Sequence, residues 1–207
     1  MQRILNSLIS LSHLKVYLIS VLLFSNSKFT NAKDYKELSD SARIYLITCL
    51  PDSRHIATRF GHSALRVYDP IVGIDYAFFY GDLDSTKDSF FLNLITNNFT
   101  SEFKRIRYSF FRMNYRFNQR DLIEQLMFLN GKQKQLIFDL LQATVNNGYY
   151  DYLYFKNNCS TALLNVINLA VPDPKTDRTI KSLTYRSSIS PYISDNPGLE
   201  FVVDLSL

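Results

Sequence analysis

Residues 44–80 read IYLITCLPDSRHIATRFGHSALRVYDPIVGIDYAFFY, and this stretch decides the fold. Residues 44–49 form a short apolar run followed by a proline-containing turn, which is typical of a buried strand. Residues 62–68 and 74–80 are two further strand-like runs, and the residues between them include an Asp-Pro pair and Gly73, which favour a turn. The pattern predicts an antiparallel hairpin inside a sheet.

The rest of the chain predicts helices and further extended segments around this hairpin. Their predicted bounds are helix at 87–97, strand at 104–117 where basic and aromatic residues alternate, helix at 120–129 and at 131–145, and extended chain at 149–155. Asn158 is placed to cap a helix from Cys159 to Ala170, which Pro172 ends. We therefore expect an α+β domain in which an antiparallel sheet packs on helices, one of them beginning at Cys159.

The first 32 residues differ in character from the rest of the chain. Arg3 and Lys15 precede the apolar run at 16–24, and small polar residues follow it, which is the pattern of a secretory signal. The run spans about 14 Å as a helix, well short of a bilayer core of about 30 Å, but an apolar patch before it leaves a retained anchor as the alternative. We predict a secretory signal or membrane anchor at 1–32 and a single domain at 33–207.

The net charge argues against nucleic acid as a partner. The whole chain carries +4, and residues 1–32 contribute +3 of it through two lysines and one arginine with no acid, so 33–207 retains +1. No basic stripe is left to hold a phosphate backbone. The two histidines of this region, His55 and His62, and its scattered acids show no metal-ligand spacing, so we expect no metal and no other cofactor.

Cys159 and His62 are the residues that we expect to carry chemistry. The dipole and free N–H groups at a helix start favour a thiolate, and the same N–H groups suit the oxyanion of a tetrahedral intermediate. Asn158 and Ser160 are the predicted cap and oxyanion groups beside the thiol. A strand histidine that faces the helix start would complete a Cys–His pair, and Gly61 next to it would let another segment approach closely.

The same residues have a purely structural interpretation, which stays open. Cys159 could be a buried thiol and His62 a hydrogen-bonded core imidazole. Cys49 closes an apolar strand and is expected to pack, while His55 lies in a loop-like stretch and is expected to be exposed. A Cys49–Cys159 disulfide is the less favoured alternative and would abolish a thiol activity.

Several sequence motifs occur in an order that resembles a known family. The first strand ends in Thr-Cys, and Phe-Gly-His-Ser-Ala-Leu-Arg-Val at 60–67, Gly-Ile-Asp at 73–75 and Tyr-Gly at 80–81 follow it. Further on come the paired-helix region DLIEQLMFLNGKQKQLIFDLL, the Tyr-rich approach YYDYLYFKNNCSTALL and the segment ISPYISDNPGLEFVVDLSL. Together, from about residue 40 to the C-terminus, these motifs resemble the Lnb N-terminal periplasmic domain family.

The resemblance implies a permuted papain-like thiol fold in which the histidine precedes the cysteine. Some family members are lipoprotein N-acyltransferases, which move an acyl chain from a phospholipid onto the thiol and then onto the α-amine of a lipoprotein. By position, His62 would be the general base and Cys159 the nucleophile, with Asp82 or Tyr80 orienting His62. The implied partners are a phospholipid donor, a lipoprotein or peptide amine acceptor and a membrane surface, and the implied location is the periplasm or cell envelope.

Two features depart from the family pattern. An arginine often follows the family's Asn-Cys-Ser-Thr, whereas Ala-Leu-Leu-Asn stands at 162–165 here, so any contact that this arginine makes with a head group has no counterpart at these positions. Family members also often continue into C-terminal membrane helices. This chain is therefore expected to be a shorter type, a truncated product or a protein that meets the membrane by other means.

Two other functions stay open at this stage. A cysteine amidase or peptidase acting on cell-wall peptide would use the same dyad, and a non-catalytic envelope protein would keep the fold for binding. An apolar tunnel beside Cys159 favours acyl transfer, an open polar cleft favours hydrolysis, and separation of Cys159 from His62 favours binding alone. The basic and aromatic residues at 104–117 are expected to form a sheet surface and a solvated face, with anionic head groups as the alternative partner.

Overall fold

The computed structural model describes residues 36–54, 58–80, 93, 96, 99–145, 149–153, 156–172, 184–198 and 200–201. The chain divides into two compact units, Met1–Tyr35 and Lys36–Leu207, and every described residue belongs to the second. The predicted signal or anchor at 1–32, most of the predicted helix at 87–97, and His55 lie outside the described residues.

Six strands and four helices make up the described part of the chain. In chain order they are β1 (Arg43–Cys49), β2 (His62–Asp69), β3 (Ile74–Tyr80), β4 (Phe99–Arg107), α1 (Tyr108–Phe117), β5 (Leu122–Leu126), α2 (Gly131–Val145), β6 (Tyr149–Tyr152), α3 (Cys159–Ala170) and α4 (Tyr185–Ile193). The predicted strands at 44–49, 62–68 and 74–80 and the predicted helices at 131–145 and 159–170 are confirmed to within one residue.

The strands form an antiparallel sheet in the order β5-β1-β2-β3-β4-β6. β2 and β3 are the predicted hairpin, with Ala64 opposite Phe79. β1 lies along the other edge of β2, and Cys49 pairs with His62 at the end of that ladder. The sheet and its helices confirm the predicted α+β class, whereas the permuted papain-like relation stays a prediction.

Side chains alternate along the strands, so each face of the sheet has its own apolar cluster. On the first face, which we call the α3 face, strand residues pack with α2 and α3, and the buried members include Leu65, Val67, Phe78, Phe138 and Leu163. On the second face, which we call the α1 face, the buried members are Ile47, Cys49, Ala64, Ala77, Phe79, Tyr108 and Phe111. The two faces therefore separate the side chains of neighbouring residues on β2.

Residues 104–117 do not form the single strand that the sequence predicts. β4 ends at Arg107, and helix α1 follows directly. The alternation of basic and aromatic residues suggested a period of two, but the buried positions are Tyr108 and Phe111, with Tyr115 packed beside them, which is helical spacing. Aromatic residues are frequent enough here to fit both periods, and packing on the sheet decides between them.

Residues 120–129, predicted as a helix, contain the edge strand β5. Leu, Glu, Gln and Met are good helix formers, so the local sequence favours a helix. The segment instead pairs with β1, with Leu122 opposite Cys49 and Leu126 opposite Tyr45. Pairing with a distant part of the chain overrides the local propensity.

Candidate active site

Helix α3 begins at Cys159 and is capped by the residue before it. The side-chain oxygen of Asn158 accepts hydrogen bonds from the backbone N–H of Ser160 at 3.0 Å and of Thr161 at 2.9 Å. The Thr161 hydroxyl in turn accepts a hydrogen bond from the N–H of Asn158 at 2.9 Å, which completes a reciprocal capping box. The predicted cap is confirmed, and it fixes the point at which the thiol leaves the helix.

The cap also decides which N–H groups of the first turn are left for a ligand. Ser160 and Thr161 donate to the side chain of Asn158, and Ala162 donates to its carbonyl at 3.0 Å. Among the described residues, the N–H of Cys159 has no such acceptor. The donor available beside the thiol is thus its own amide, whereas the Ser160 amide is engaged in the cap.

The Cys159 side chain is half-buried and packs against the cluster on the α3 face. Its Sγ lies 3.9 Å from the Ser160 hydroxyl oxygen. Burial raises the pKa of the nearby Tyr150, and the Cys159 thiol acts in the same direction, so this phenol stays neutral beside the thiol. The thiol therefore has protein on one side and an accessible surface on the other.

Ser63 joins the histidine strand to the cysteine helix. The hydroxyl oxygens of Ser63 and Ser160 lie 2.9 Å apart and share a hydrogen bond. Because side chains alternate along β2, Ser63 and Leu65 point to the α3 face, and His62 points to the α1 face. The two segments therefore meet through serines that each stand one residue after His62 and Cys159.

His62 is the first residue of β2. Its ring meets the Phe79 ring edge-on, with 5.8 Å between centroids, and its backbone pairs with Cys49. The Cys159 thiol lies near Cys49, at the same end of the sheet as His62, and the assignment of His62 as the base stays a prediction.

Gly61 brings the end of β1 close to the start of β2. Its φ is +72°, a backbone conformation that residues with a side chain rarely adopt, and a Cβ at this position would stand 2.7 Å from the carbonyl oxygen of Cys49. The close approach expected beside His62 is confirmed. The approaching segment is the end of β1.

The two residues predicted to orient His62 have different outcomes. Asp82 lies outside the described residues. Tyr80 is 8% exposed within the cluster on the α3 face, where its ring contacts the Tyr150 ring at 4.7 Å between centroids. Burial raises the pKa of Tyr80. Phe79, rather than Tyr80, is the neighbour of His62 on this strand.

Cys49 is a buried thiol at the end of β1. It is 1% exposed, and burial raises its pKa to about 11, against the opposing effects of a hydrogen bond with Tyr115 and the charge of Arg120. Cys159 is near enough to raise the Cys49 pKa further, so both thiols and His62 lie at one end of the sheet. Both cysteines are free, and the disulfide alternative is wrong.

The segment before Gly61 is anchored on helix α4. The Arg59 guanidinium forms an ion pair with Asp195 and donates to the Tyr192 carbonyl at 3.0 Å. The Phe60 ring meets the Tyr192 ring edge-on at 6.0 Å between centroids. These contacts hold the entry to β2, so α4 supports the position of the strand that begins with the histidine.

The described residues offer neither a cluster of metal ligands nor a helix that could span a membrane. Among them, no group of three or more His, Cys, Asp or Glu side chains is placed to hold a metal ion. None of the described helices combines the length and the apolar character that crossing a bilayer requires.

The fold and the site define an α+β domain with a cysteine at a capped helix start. Residues 31–190 match the Lnb N-terminal periplasmic domain family. The match covers more than half of the sequence, so the chain belongs to this family, which is one of the periplasm or cell envelope. Comparison with curated proteins and with solved structures gives no match.

Sequence reasoning did not single out Ser63, Phe79 or Tyr150, which the structure brings to the site. The signal for Ser63 was present, because alternation along a strand puts it and His62 on opposite faces. The position of Phe79 beside His62 depends on the register of the β2–β3 hairpin, and the turn residues in the sequence do not define that register. The position of Tyr150 near the site depends on the pairing of β6 with β4, and no local sequence pattern predicts that pairing.

Proposed function

We propose that this chain is an envelope thiol acyltransferase in which Cys159 carries an acyl group from a phospholipid to an amine, the N-terminus of a lipoprotein. The start of α3 is the observation that carries the proposal. There the half-buried thiol stands beside its own backbone N–H, which the Asn158 cap does not use, and the Ser63–Ser160 hydrogen bond joins the helix start to the strand of His62. Membership of a periplasmic domain family supports the envelope location.

In the first step, the Cys159 sulfur attacks an ester carbonyl carbon of the phospholipid. A C–S bond forms, the ester C–O bond breaks, and the leaving alkoxide takes the proton that His62 removed from the thiol. The oxyanion of the tetrahedral intermediate accepts a hydrogen bond from the Cys159 N–H. The products are a thioester on Cys159 and a lysophospholipid.

In the second step, the acceptor amine attacks the thioester carbonyl. A C–N bond forms, the C–S bond breaks, and His62 transfers the amine proton to the departing thiolate. Water competes with the amine, so the site must exclude it. The apolar cluster against which Cys159 packs, with Tyr150 beside it, supplies a surface that water does not solvate well.

The test is to trap the thioester. The purified chain is incubated with vesicles whose phospholipid carries a labelled acyl chain, quenched in mild acid, and mapped by peptide mass. We expect one acyl group on Cys159 that neutral hydroxylamine removes. We expect the His62→Gln variant to form it on the order of 100-fold to 10,000-fold more slowly, because a general base is lost. A lipopeptide with a free α-amine should discharge the adduct, and the same lipopeptide with an acetylated amine should not.

The matched control is Cys49→Ala, which removes the other thiol and should still form the adduct. Cys159→Ala should remain folded by circular dichroism and form none. The proposal is wrong if the folded wild-type chain forms no adduct, or if the label maps to Cys49. Cleavage of cell-wall peptides that depends on Cys159, without any lipid adduct, would instead assign the site to a hydrolase.

A non-catalytic binding role is the second candidate. The observation that favours it is that a hydrogen bond between the Ser63 and Ser160 hydroxyls joins the two segments, a contact that needs neither the thiol nor the imidazole. In that case neither Cys159→Ala nor His62→Gln would change any activity of the chain. Absence of adduct together with retained binding of a lipopeptide by both variants would support this second function.

A further inference from the structure

Helix α1 exposes a stripe of large apolar side chains. Phe110, Met113 and Phe117 are 58%, 59% and 87% exposed. Their spacing of three and four residues places them on one side of the helix. The opposite side of α1 is the one that packs on the sheet, through Tyr108 and Phe111. The helix is therefore apolar on both its inner and its outer side.

Two arginines flank this stripe. Arg112 and Arg116 are four residues apart, so they lie on one side of α1, next to Met113. Both are exposed, and neither forms an ion pair within the described residues. Arg66 beneath them differs, because Asp75 binds its guanidinium at 2.7 Å.

A groove of about 420 Å³ runs along this flank of the helix. The residues that line it are Arg66, Asp75, Tyr108, Ser109, Arg112, Met113 and Arg116. The outer flank of α1 thus combines the exposed positive charge of Arg112 and Arg116 with a recess beside exposed apolar side chains. Anionic head groups complement this charge, and the apolar stripe complements the upper part of the acyl chains.

We propose that α1 is the surface by which this domain lies on an anionic phospholipid bilayer. Phe110, Met113 and Phe117 enter the boundary between head groups and acyl chains, while Arg112 and Arg116 bind phosphates. An interfacial helix has this distribution, with bulky apolar residues on one side and cations next to them. The contact lies in the plane of the membrane and needs no membrane-spanning helix.

The surface lies on the same face of the sheet as His62. The Phe111 ring of α1 contacts the Phe79 ring at 5.3 Å between centroids, and Phe79 contacts His62. Docking of α1 would therefore turn the histidine side of the candidate site toward the lipid. The inference goes beyond the proposed reaction, because the lipid contact requires neither Cys159 nor His62.

The absence of tryptophan from the chain allows a direct test. The full-length Met113→Trp variant carries a single tryptophan on the stripe. Its matched control is Leu169→Trp, which puts the single tryptophan at a position of α3 that is 65% exposed. With vesicles containing phosphatidylglycerol, we expect the first variant to show a blue-shifted emission that brominated acyl chains quench. The control should show neither effect, even if another segment tethers the chain to the vesicle.

The charge requirement is tested in the Met113→Trp background. Reversing both flanking cations, Arg112→Glu with Arg116→Glu, should weaken vesicle binding about tenfold or more, because each cation near an anionic surface contributes to binding. Lys132→Glu with Arg43→Glu gives the same change of net charge on other elements and should leave the tryptophan signal in place. Adding Cys159→Ala should also leave it unchanged, which separates this inference from the proposed chemistry.

Three results would overturn the proposal. The first is an emission of the Met113→Trp variant that does not change with anionic vesicles. The second is an emission that is already blue-shifted without vesicles and independent of protein concentration, which would assign the stripe to another segment of this chain. The third is a shift without vesicles that grows with protein concentration, which would assign it to a second copy.

Discussion

At the scale of single residues, Gly61 and Gly73 form a natural pair for comparison. Both have φ of +72°. A Cβ at Gly73 would meet nothing within 4 Å, whereas a Cβ at Gly61 would stand 2.7 Å from the carbonyl oxygen of Cys49. Gly73 is required only by its own backbone conformation, whereas Gly61 is also required by the close approach of the Cys49 carbonyl.

We expect Gly61→Ala to destabilise the fold more than Gly73→Ala does. A side chain in the left-handed region costs about 1–2 kcal/mol, and both variants carry this loss. The Gly61→Ala variant must in addition move a backbone carbonyl, which should bring its loss to about 3 kcal/mol. Urea unfolding followed by circular dichroism measures both. An equal decrease in the free energy of unfolding for the two variants would mean that the backbone near Cys49 moves without cost, and that the close approach does not stabilise the site.

The sequence predicted that a helix begins at Cys159, that Asn158 caps it, and that Gly61 allows a close approach beside His62. Each of these predictions depends on a short local motif. The sequence did not predict which way His62 points. The direction of a strand side chain depends on which face of the sheet receives which helix, and that is a property of packing. The relation between Cys159 and His62 is thus the part of the site that local patterns could not fix.

At the scale of elements, Asp69 holds the hairpin turn and the segment before β1. Its carboxylate is fully buried and accepts hydrogen bonds from the N–H groups of Ser39, Ile71 and Val72 and from the Ser39 hydroxyl. Burial alone would raise the Asp69 pKa, but these hydrogen bonds outweigh it, so the pKa lies below its ordinary value. One charged side chain therefore ties the β2–β3 turn to a segment about thirty residues earlier in the sequence.

We expect Asp69→Asn to lower the free energy of unfolding at pH 7 by about 1–3 kcal/mol, because the new amide group would face the Ser39 N–H and leave a buried donor unpaired. A lowered carboxyl pKa in the folded state stabilises the fold above the unfolded pKa of about 3.9, and this contribution is lost as the pH falls through the folded pKa. The difference between wild type and variant should therefore shrink below about pH 4.

Urea unfolding at a series of pH values checks this expectation. The exposed Asp40→Asn variant is the control, and it should change stability by no more than about 0.5 kcal/mol. A difference between Asp69→Asn and wild type that stays constant from pH 7 to pH 3 would mean that the charge of Asp69 contributes nothing.

The sequence predicted an element correctly where local residues indicate both whether it is a helix or a strand and where it begins or ends. Helix α3 has its Asn158 cap and Pro172, and the hairpin has its turn. The segments at 108–117 and 122–126 were assigned the wrong type, because an aromatic-rich stretch fits two periods and an edge strand made of helix formers depends on its partner. In both cases the sheet, rather than the segment itself, decides.

At the scale of the whole molecule, the two thiols differ in accessibility: Cys159 can be reached in the native fold, whereas Cys49 is reached only on unfolding. Cys49 is buried between β1 and α1 with a pKa of about 11, and Cys159 is half-buried at the start of α3. A thiol reagent should therefore modify the native chain once and quickly, and modify it a second time only when the domain unfolds. The first reaction should be absent from Cys159→Ala.

The second reaction gives a measure of global unfolding. At high reagent concentration, we expect the rate of Cys49 modification to equal the unfolding rate measured by circular dichroism. In the Cys49→Ala variant only the fast reaction should remain. Fast modification of Cys49 in the native chain would mean that the α1 face opens without global unfolding.

The order β5-β1-β2-β3-β4-β6 has a consequence for how the chain is made. Cys49 pairs with Leu122, so the partner of the outer edge of β1 is synthesised 73 residues later, since 122 − 49 = 73. At about 5–20 residues per second, this edge waits roughly 4–15 s for its partner. During that interval an apolar strand offers unpaired N–H and C=O groups to any neighbouring nascent chain. Pairing with the late, mostly exposed edge strand β5 ends this interval, and a chaperone that binds β1 in the meantime would raise the yield of folded protein.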